Sequence, residues 1–243
     1  MSVLIVKPPE DREMPLQEHL AELRKRLLRV FVVFVVGIAL TFRFSGDLLR
    51  VLWNYILPNS KVYVVAPTEW FMVQLTFSFA FVLVVVYPYL AYELYQFAKP
   101  GLYENERKFV KTFIPFSYAL FLVGVALGIF VVVPRVFSVS MIFNLGADPF
   151  LTAKKTIYSA LKIALAIGLS FQIPVLAVIA VRIGLIDSRW LKGKRWIVYL
   201  AVFALATNVT FDVSGISQLL ILAVVVVMYE LSIVIAKAME KRI

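Results

Sequence analysis

The sequence has no cysteine and only one histidine in 243 residues. Disulfides, thiolate nucleophiles and cysteine-based metal sites are therefore excluded, and a single imidazole cannot form a histidine cluster for zinc or iron. These absences remove most redox and metal chemistry. We accordingly expect no cofactor and no bound metal ion.

Charged residues are also scarce. Asp, Glu, Lys and Arg make up 16% of the chain and hydrophobic residues 62%, whereas soluble domains are about 25% charged and about 45–50% apolar. A chain of this size cannot hide so much apolar surface in one core, so the excess must face lipid. The composition predicts an integral membrane protein.

Several long stretches without charge are suited to crossing a bilayer, which takes about 20 residues of helix for a core about 30 Å thick. We predict six spans, at about residues 27–44, 70–92, 112–134, 156–181, 196–211 and 213–236. The polar run 208–215 separates the last two spans. The fifth span would be only about 24 Å long, which predicts local thinning of the bilayer.

The segment before the first span has leucines at helical spacing, at Leu16, Leu20, Leu23 and Leu27. This pattern predicts an amphipathic cytoplasmic helix, lying along the membrane surface or against other helices. Residues 1–13 have the character of a flexible tail. The predicted fold is all-α, with a single six-span membrane domain over residues 14–243.

The basic residues are unevenly distributed between the two faces. Of the 25 Lys and Arg residues, 18 fall on the face that holds both termini, six on the opposite face, and Lys162 lies within the fourth span. Since cytoplasmic loops carry the excess of Lys and Arg, both termini are predicted to be cytoplasmic. The net charge of +10 is then a signal of orientation, and we expect no nucleic-acid partner.

Short motifs resemble those of a known family. The segment 18–27, EHLAELRKRL, resembles the EHLxELRxRL signature that opens TatC, the multi-span core of the twin-arginine protein translocase. Five further matches follow in the family's order: Pro67-Thr68-Glu69, the run from Pro88 to Tyr92 with the block 97–107, Phe171 to Pro174, Ser217-Gln218, and Tyr229 to Ser232.

The resemblance implies a function in protein export and no enzymatic activity. A TatC-like chain would bind twin-arginine signal peptides at its cytoplasmic face, in the cytoplasmic membrane. Together with single-span subunits of the TatA and TatB type it would form an oligomeric complex. That complex would export folded proteins and use the proton-motive force as its energy source.

The resemblance also assigns a signal-peptide site. Glu22 and Glu106 would accept the two guanidinium groups, because carboxylates offer two parallel hydrogen bonds to arginine. The residues shaping that patch would be Arg24, Phe97, Pro100, Leu102 and Tyr103. From the residues alone, without the family resemblance, Glu22 would pair with Arg26 one helical turn later, and Glu106 would pair with a neighbouring basic residue.

Polar residues inside the spans are functional candidates, because lipid makes them costly. Gln172 lies midway along the fourth span beside Pro174, where the family often has Glu; it either docks a partner's transmembrane helix or hydrogen-bonds within the chain. Gly124 and Gly128 form a GxxxG pattern that indicates close helix packing within the subunit. Further polar candidates are Glu69, Asp212, Gln218 and Glu230.

Two features leave other interpretations open. Ser214 occupies the position where the family usually has Asp, so Asp212 is carried over only as a polar contact. The main alternative function is a small secondary transporter or channel for ions or solutes. Such proteins usually bury several ionisable residues near the midplane, where this chain offers little beyond Gln172.

Overall fold

The computed structural model describes residues 16–58, 63–142, 152–209 and 216–240. These residues form ten α-helices, one turn of 3-10 helix, one turn of π-helix and an isolated parallel bridge between Tyr63 and Thr152. The predicted all-α class is confirmed. The tail 1–13 and the turn containing Asp212 lie outside the described residues.

Helix α1 runs without interruption over Leu16–Phe42. The predicted amphipathic helix and first span are therefore one helix, and the expected change of direction between them is wrong. The reason is local: the segment has no proline and a single glycine, Gly37, so nothing breaks the backbone hydrogen bonds. Leu20 and Leu27, from the predicted stripe, stay exposed.

Helix α2, Ser45–Ile56, was not predicted and follows a bend of 74° after α1. Its apolar side faces the interior, with Leu49, Trp53 and Ile56 buried at spacings of four and three. This periodicity gives an amphipathic helix that packs on the core with one side only. The expected outer loop is therefore partly helical.

The second predicted span extends further at its carboxyl-terminal end, and the third at its amino-terminal end. Helix α3 covers Pro67–Ala98, and α4 covers Glu104–Leu127 after a 3-10 turn at Lys99–Gly101. A π-helical turn, Gly128–Val132, joins α4 to α5, Val133–Ile142. The predicted boundaries stop at the first charged residues, whereas the helices continue through them.

The fourth predicted span contains a break. Helix α6, Ala153–Ser170, ends one residue before α7, Gln172–Arg182. Pro174 has no N–H to donate to the carbonyl of Ser170, four residues earlier, and this explains the break at Phe171.

The remaining helices are α8, α9 and α10. Helix α8 is short, Ser188–Gly193; α9 covers Arg195–Val209 and α10 covers Ile216–Glu240. At 15 residues, α9 is about 22 Å long.

Four helical stretches are long and apolar enough to cross a membrane, and α1 with α2 qualifies as a fifth, bent pair. The four stretches are Pro67–Gly101, Glu104–Val139, Ala153–Arg182 and Gln218–Glu240. The shorter apolar helix over Arg195–Ala204 falls below that length. The chain is thus a multi-pass membrane protein.

The core is held together where α4 and the π-turn cross α6 at very short distance. A methyl group placed on Gly124 would lie 2.8 Å from the Cα of Gly168, and one on Gly128 would lie 2.6 Å from the Cα of Ala164. The two backbones leave no room for a side chain at either position. The predicted role of Gly124 and Gly128 in packing within the subunit is confirmed.

The outer ends of α3 and α6 are tied by one buried carboxylate. Glu69, in the first turn of α3, accepts the backbone N–H of Val65 at 2.7 Å and that of Lys154 at 3.0 Å. The second bond satisfies one of the unpaired N–H groups at the start of α6. The backbone N–H of Ala153 also donates to the carbonyl of Tyr63 at 2.9 Å. Glu69 therefore has a structural role at this end.

The close crossing leads to a first prediction. Gly128→Ala should lower the free energy of unfolding by about 1–3 kcal/mol, because the added methyl forces the π-turn away from α6. The thermal midpoint of the purified protein in detergent measures the change. Gly193→Ala is the matched control, since nothing lies within 4 Å of a methyl group at that exposed helical position. Equal midpoints for the two variants would contradict the crossing.

Candidate functional site

The two motif segments predicted to bind signal peptides lie side by side at one end of the helix bundle. The ring of His19 in α1 stacks on that of Phe97 near the end of α3, with centroids 4.2 Å apart and planes 21° from parallel. The stack joins the amino-terminal half of α1 to the turn that leads into α4. Four predicted residues, Phe97, Pro100, Leu102 and Tyr103, belong to this turn or its flanks.

A charge network joins α1 to α3 about one helical turn away from this stack. Arg26 donates from Nε to Glu22 at 2.9 Å and from Nη1 to Glu93 at 3.0 Å. Arg29 reaches the same Glu93 oxygen at 3.2 Å, and the hydroxyl of Tyr89 donates to the other oxygen at 3.0 Å. Two arginines of α1 are thereby attached to one carboxylate of α3.

Glu93 is the residue that the sequence interpretation missed. Its side chain is only 5% exposed, and a carboxylate so buried is tolerated because two guanidinium groups and a hydroxyl compensate its charge. The predicted second span ends at residue 92 because Glu93 is charged. Its position one helical turn after Tyr89, opposite a helix with basic residues, was the available signal.

Glu22 lies at the edge of this network and faces solvent. Its side chain is 28% exposed, against 18% for Arg26. The pairing of Glu22 with Arg26, expected from the residues alone, is present. It coexists with solvent access, so the pairing leaves part of the carboxylate open to a ligand. Arg24, another predicted site residue, is exposed on the same helix.

Glu106 has a different local role from the one expected. Its carboxylate accepts the backbone N–H of Tyr103 at 2.9 Å, which caps the first turn of α4. The ion pair at this helix start is instead that of Lys108 with Glu104, at 2.9 Å. The cap fixes the Glu106 side chain at the helix terminus, next to the turn that follows Phe97.

The backbone between these residues is held by a buried arginine. The Nε of Arg107 donates to the carbonyl of Leu102 at 2.9 Å, and Leu102 is itself buried. Tyr103 is exposed and Pro100 half-buried. The buried side chain of Arg107 therefore anchors the turn from Lys99 to Tyr103, and the ring of Tyr103 is exposed on its surface.

The polar residue of the fourth span lies in a buried cluster. The Gln172 side chain is buried, and its Oε1 accepts a hydrogen bond from the Tyr87 hydroxyl at 2.6 Å and another from the hydroxyl of Ser117. Its Nε2 donates to the carbonyl of Ser117 at 3.2 Å. The cluster connects α3, α4 and α7, and corresponds to the intramolecular alternative for Gln172. Pro174, also buried, shapes the break beside it.

The remaining polar candidates lie apart from the cytoplasmic site. Glu230 in α10 accepts hydrogen bonds from the guanidinium of Arg195 and the hydroxyl of Tyr199, both in α9. Gln218 is half-buried at the opposite end of α10. Glu69 ties α3 to α6, as described above. These side chains hold helices together at separate places.

The chemistry available at the site that contains Glu22 and Glu106 is recognition of cations. Its acidic groups, Glu22 and Glu106, present oxygens that accept hydrogen bonds from guanidinium or ammonium donors. Among the described residues, no three His, Asp or Glu side chains are grouped closely enough to hold a metal ion. The arrangement is suited to binding a basic peptide.

Comparisons with known proteins give a consistent picture. The family model for the Sec-independent protein translocase protein TatC matches residues 18–236. TatC of Methanocella arvoryzae is 36% identical over 232 residues, which is 95% of this chain and 96% of the relative. TatC of Carboxydothermus hydrogenoformans is 31% identical, covering 96% of this chain and 97% of the relative.

A solved structure agrees with these relatives. A crystal structure of the twin-arginine translocase receptor TatC superposes with a TM-score of 0.82 at 26% identity, covering 90% of this chain and 98% of that one. The family match and the shared fold span nearly the whole molecule. The chain belongs to the TatC family of Sec-independent protein translocase proteins.

Proposed function

We propose that this protein is the signal-peptide receptor and core subunit of a twin-arginine translocase. It binds peptides with consecutive arginines at its cytoplasmic face and, with single-span TatA- and TatB-type subunits in an oligomeric complex, exports folded proteins. The proton-motive force supplies the energy, and the chain itself catalyses no chemical reaction.

The proposed topology has six crossings and both termini in the cytoplasm. The four long apolar helices, the bent pair of α1 and α2, and the short α9 give six in total. The basic residues are concentrated on the face that holds the start of α1 and the end of α10, which favours a cytoplasmic location for that face. Residues 14–243 would form one membrane domain in the cytoplasmic membrane.

One observation supports the receptor function above the others. The partly exposed carboxylate of Glu22 and the capping carboxylate of Glu106 belong to two segments that the stack of His19 on Phe97 holds together. Two carboxylates on adjoining segments match two consecutive guanidinium groups. In a surface so basic, these acids are the groups that would attract a cationic peptide.

The geometry allows a test that removes charge and keeps the local hydrogen bonds. Glu22→Gln and Glu106→Gln each retain an amide oxygen, which can accept from Arg26 or from the Tyr103 N–H, and each loses one negative charge. Either variant should weaken binding of an Arg-Arg signal peptide about tenfold. Photo-crosslinking and fluorescence anisotropy with the purified protein measure the affinity.

Glu18→Gln is the matched control, because Glu18 is exposed one turn earlier on the same helix. A Lys-Lys version of the peptide tests whether the guanidinium geometry matters beyond charge. Unchanged affinity in both the Glu22 and the Glu106 variants would disprove the site. Equal labelling by the Lys-Lys and Arg-Arg peptides would instead favour a general cation site, such as that of a transporter.

Partner subunits are required because six helices, two of them short or bent, cannot enclose a pore for a folded protein. We propose that the region of Gln172 and Pro174 helps to dock a partner's transmembrane helix. The break between α6 and α7 supports this, because it lies directly beside Gln172 and is followed one turn later by the exposed side chain of Leu176. Docking would require Gln172 to exchange its bonds with Tyr87 and Ser117.

A crosslinking experiment tests this docking site. A photo-reactive residue at position 172 should capture a single-span partner while a cargo protein is being exported. The exposed neighbour Leu176, one turn further along α7, serves as a second position. Products formed only with α3 and α4 of the same chain, at both positions, would show that the cluster is purely structural.

The short α9 suggests how the bilayer is weakened. At about 22 Å it falls short of a hydrocarbon core of about 30 Å, so the lipid around it must thin or the helix must draw polar groups inward. Recruited partners would weaken the same region further. We propose that this thinning lowers the barrier to cargo passage.

Lengthening α9 tests the thinning mechanism. An apolar insertion of seven residues after Ala201 adds about 10 Å and preserves the helix face, since seven residues are nearly two turns. Export of a folded reporter should fall strongly, while signal-peptide binding should not change. The control replaces seven residues of α9 with the inserted sequence and keeps the length. Full export by the lengthened protein would exclude the mechanism.

A further inference from the structure

A narrow apolar groove separates α4 from α10, with α7 as its floor. Its volume is about 440 Å³. The lining is entirely hydrophobic, and includes Phe113 and Phe116 of α4, Val178 of α7, and Leu231 of α10. Phe116 and Leu231 are 54% and 44% exposed, so the groove opens sideways toward the acyl chains of the bilayer. Pro174, from the proposed docking region, and Phe171, at the break between α6 and α7, also line it.

The length of the groove suits an alkyl chain. Along α10 the lining extends from Met228 to Met239, which is about 16 Å at helical rise. This length matches one leaflet, which is about 15 Å of hydrocarbon.

A positive charge lies at the cytoplasmic end of the groove. The guanidinium of Arg182 lies 5.6 Å from the ring centroid of Phe109. The ring of Phe109 is 4.3 Å from that of Phe113, and Phe113 contacts Phe116 at 5.7 Å. This row of aromatic rings leads directly from the guanidinium into the apolar lining. Arg182 also follows Val178 by one turn of α7.

The charge on Arg182 is available to a ligand. Its side chain is exposed, and no carboxylate in the described part of the chain pairs with it. The contact with the ring of Phe109 restricts the guanidinium to the end of the row of aromatic rings. A phosphate at headgroup depth would accept two parallel hydrogen bonds from it.

We infer that the groove binds one acyl chain of an anionic phospholipid, whose phosphate contacts Arg182. The apolar lining accommodates an alkyl chain, and the guanidinium selects an anionic headgroup by charge. Basic positions between transmembrane helices at this depth are suited to such headgroups. The lipid would fill the space between α4 and α10 and hold their cytoplasmic ends in place. This inference does not depend on signal-peptide binding.

Native mass spectrometry of the full-length protein tests the inference. Detergent-purified protein is mixed with phosphatidylglycerol or with phosphatidylcholine of the same acyl chains, and the fraction retaining one lipid is measured. Wild-type protein should retain phosphatidylglycerol about tenfold more strongly. Arg182→Gln should remove that preference, and Arg182→Lys should keep most of it. Arg189→Gln, which removes an exposed charge from α8, should behave as wild type.

A second variant tests the groove itself. Leu231→Trp should fill the groove and reduce retention of both lipids, while thermal stability without lipid should stay unchanged because the position is partly exposed. Three results would overturn the inference: equal retention of the two lipids by wild type, equal behaviour of the Arg182 and Arg189 glutamine variants, or displacement of the lipid by inorganic phosphate alone. The last would identify a free-anion site.

Discussion

The crossing of α4 and α6 is the contact on which the rest of the structure depends. In lipid, helices gain little from hiding apolar side chains, so they associate through close packing and hydrogen bonds. Here Gly124, Gly128 and Gly168 allow the two backbones to approach almost to contact. That approach brings Ser117 and Gln172 within hydrogen-bonding distance. It also positions α7, which packs against α10. The candidate docking region and the lipid groove both follow from it.

Compensation of charge is the second constraint, and it explains how α1 packs against the carboxyl-terminal part of α3. A buried carboxylate in α3 is stable only beside cations, and α1 supplies two of them. This arrangement fixes the rotation of α1 against α3, because a turn of α1 in either direction would separate Arg26 from Glu93. The edge position of Glu22 follows from the same rotation.

Much of this architecture can be predicted from composition and motif. The apolar content and the charge-free runs identify the spans, and the glycine spacing identifies the crossing. The helix ends could not be predicted in the same way, because an acidic residue such as Glu93 marks a loop unless its partner is known. The partner, Arg26, lies 67 positions away in sequence, so local sequence patterns do not reveal the pair. Helix α2 was missed for a related reason: its amphipathic face is short and was read as part of an outer loop.

In the candidate site, too, the residues can be predicted from the sequence, whereas their hydrogen-bond partners cannot. The family motifs identify Glu22 and Glu106 as candidates. The hydrogen bond by which Glu106 caps α4, and those that Gln172 accepts from Tyr87 and Ser117, depend on the three-dimensional fold. Residue types alone predicted an ion pair for Glu106, but its position three residues after the N-cap Tyr103 makes it a capping residue. A capping residue is fixed in place, which is an advantage for a binding group. Sequence reasoning therefore assigned Glu106 a basic side chain as its partner, whereas the structure shows the backbone N–H of Tyr103.

The pairing of Glu22 with Arg26 has a consequence for the proposed receptor. The carboxylate that would receive an arginine of the signal peptide already holds an arginine of its own chain. Binding is then an exchange of one guanidinium for another, and its free energy is a difference between two similar ion pairs. Such an exchange holds the ligand less tightly than an unpaired carboxylate would. A receptor that must release each signal peptide after transport gains a short residence time from this exchange.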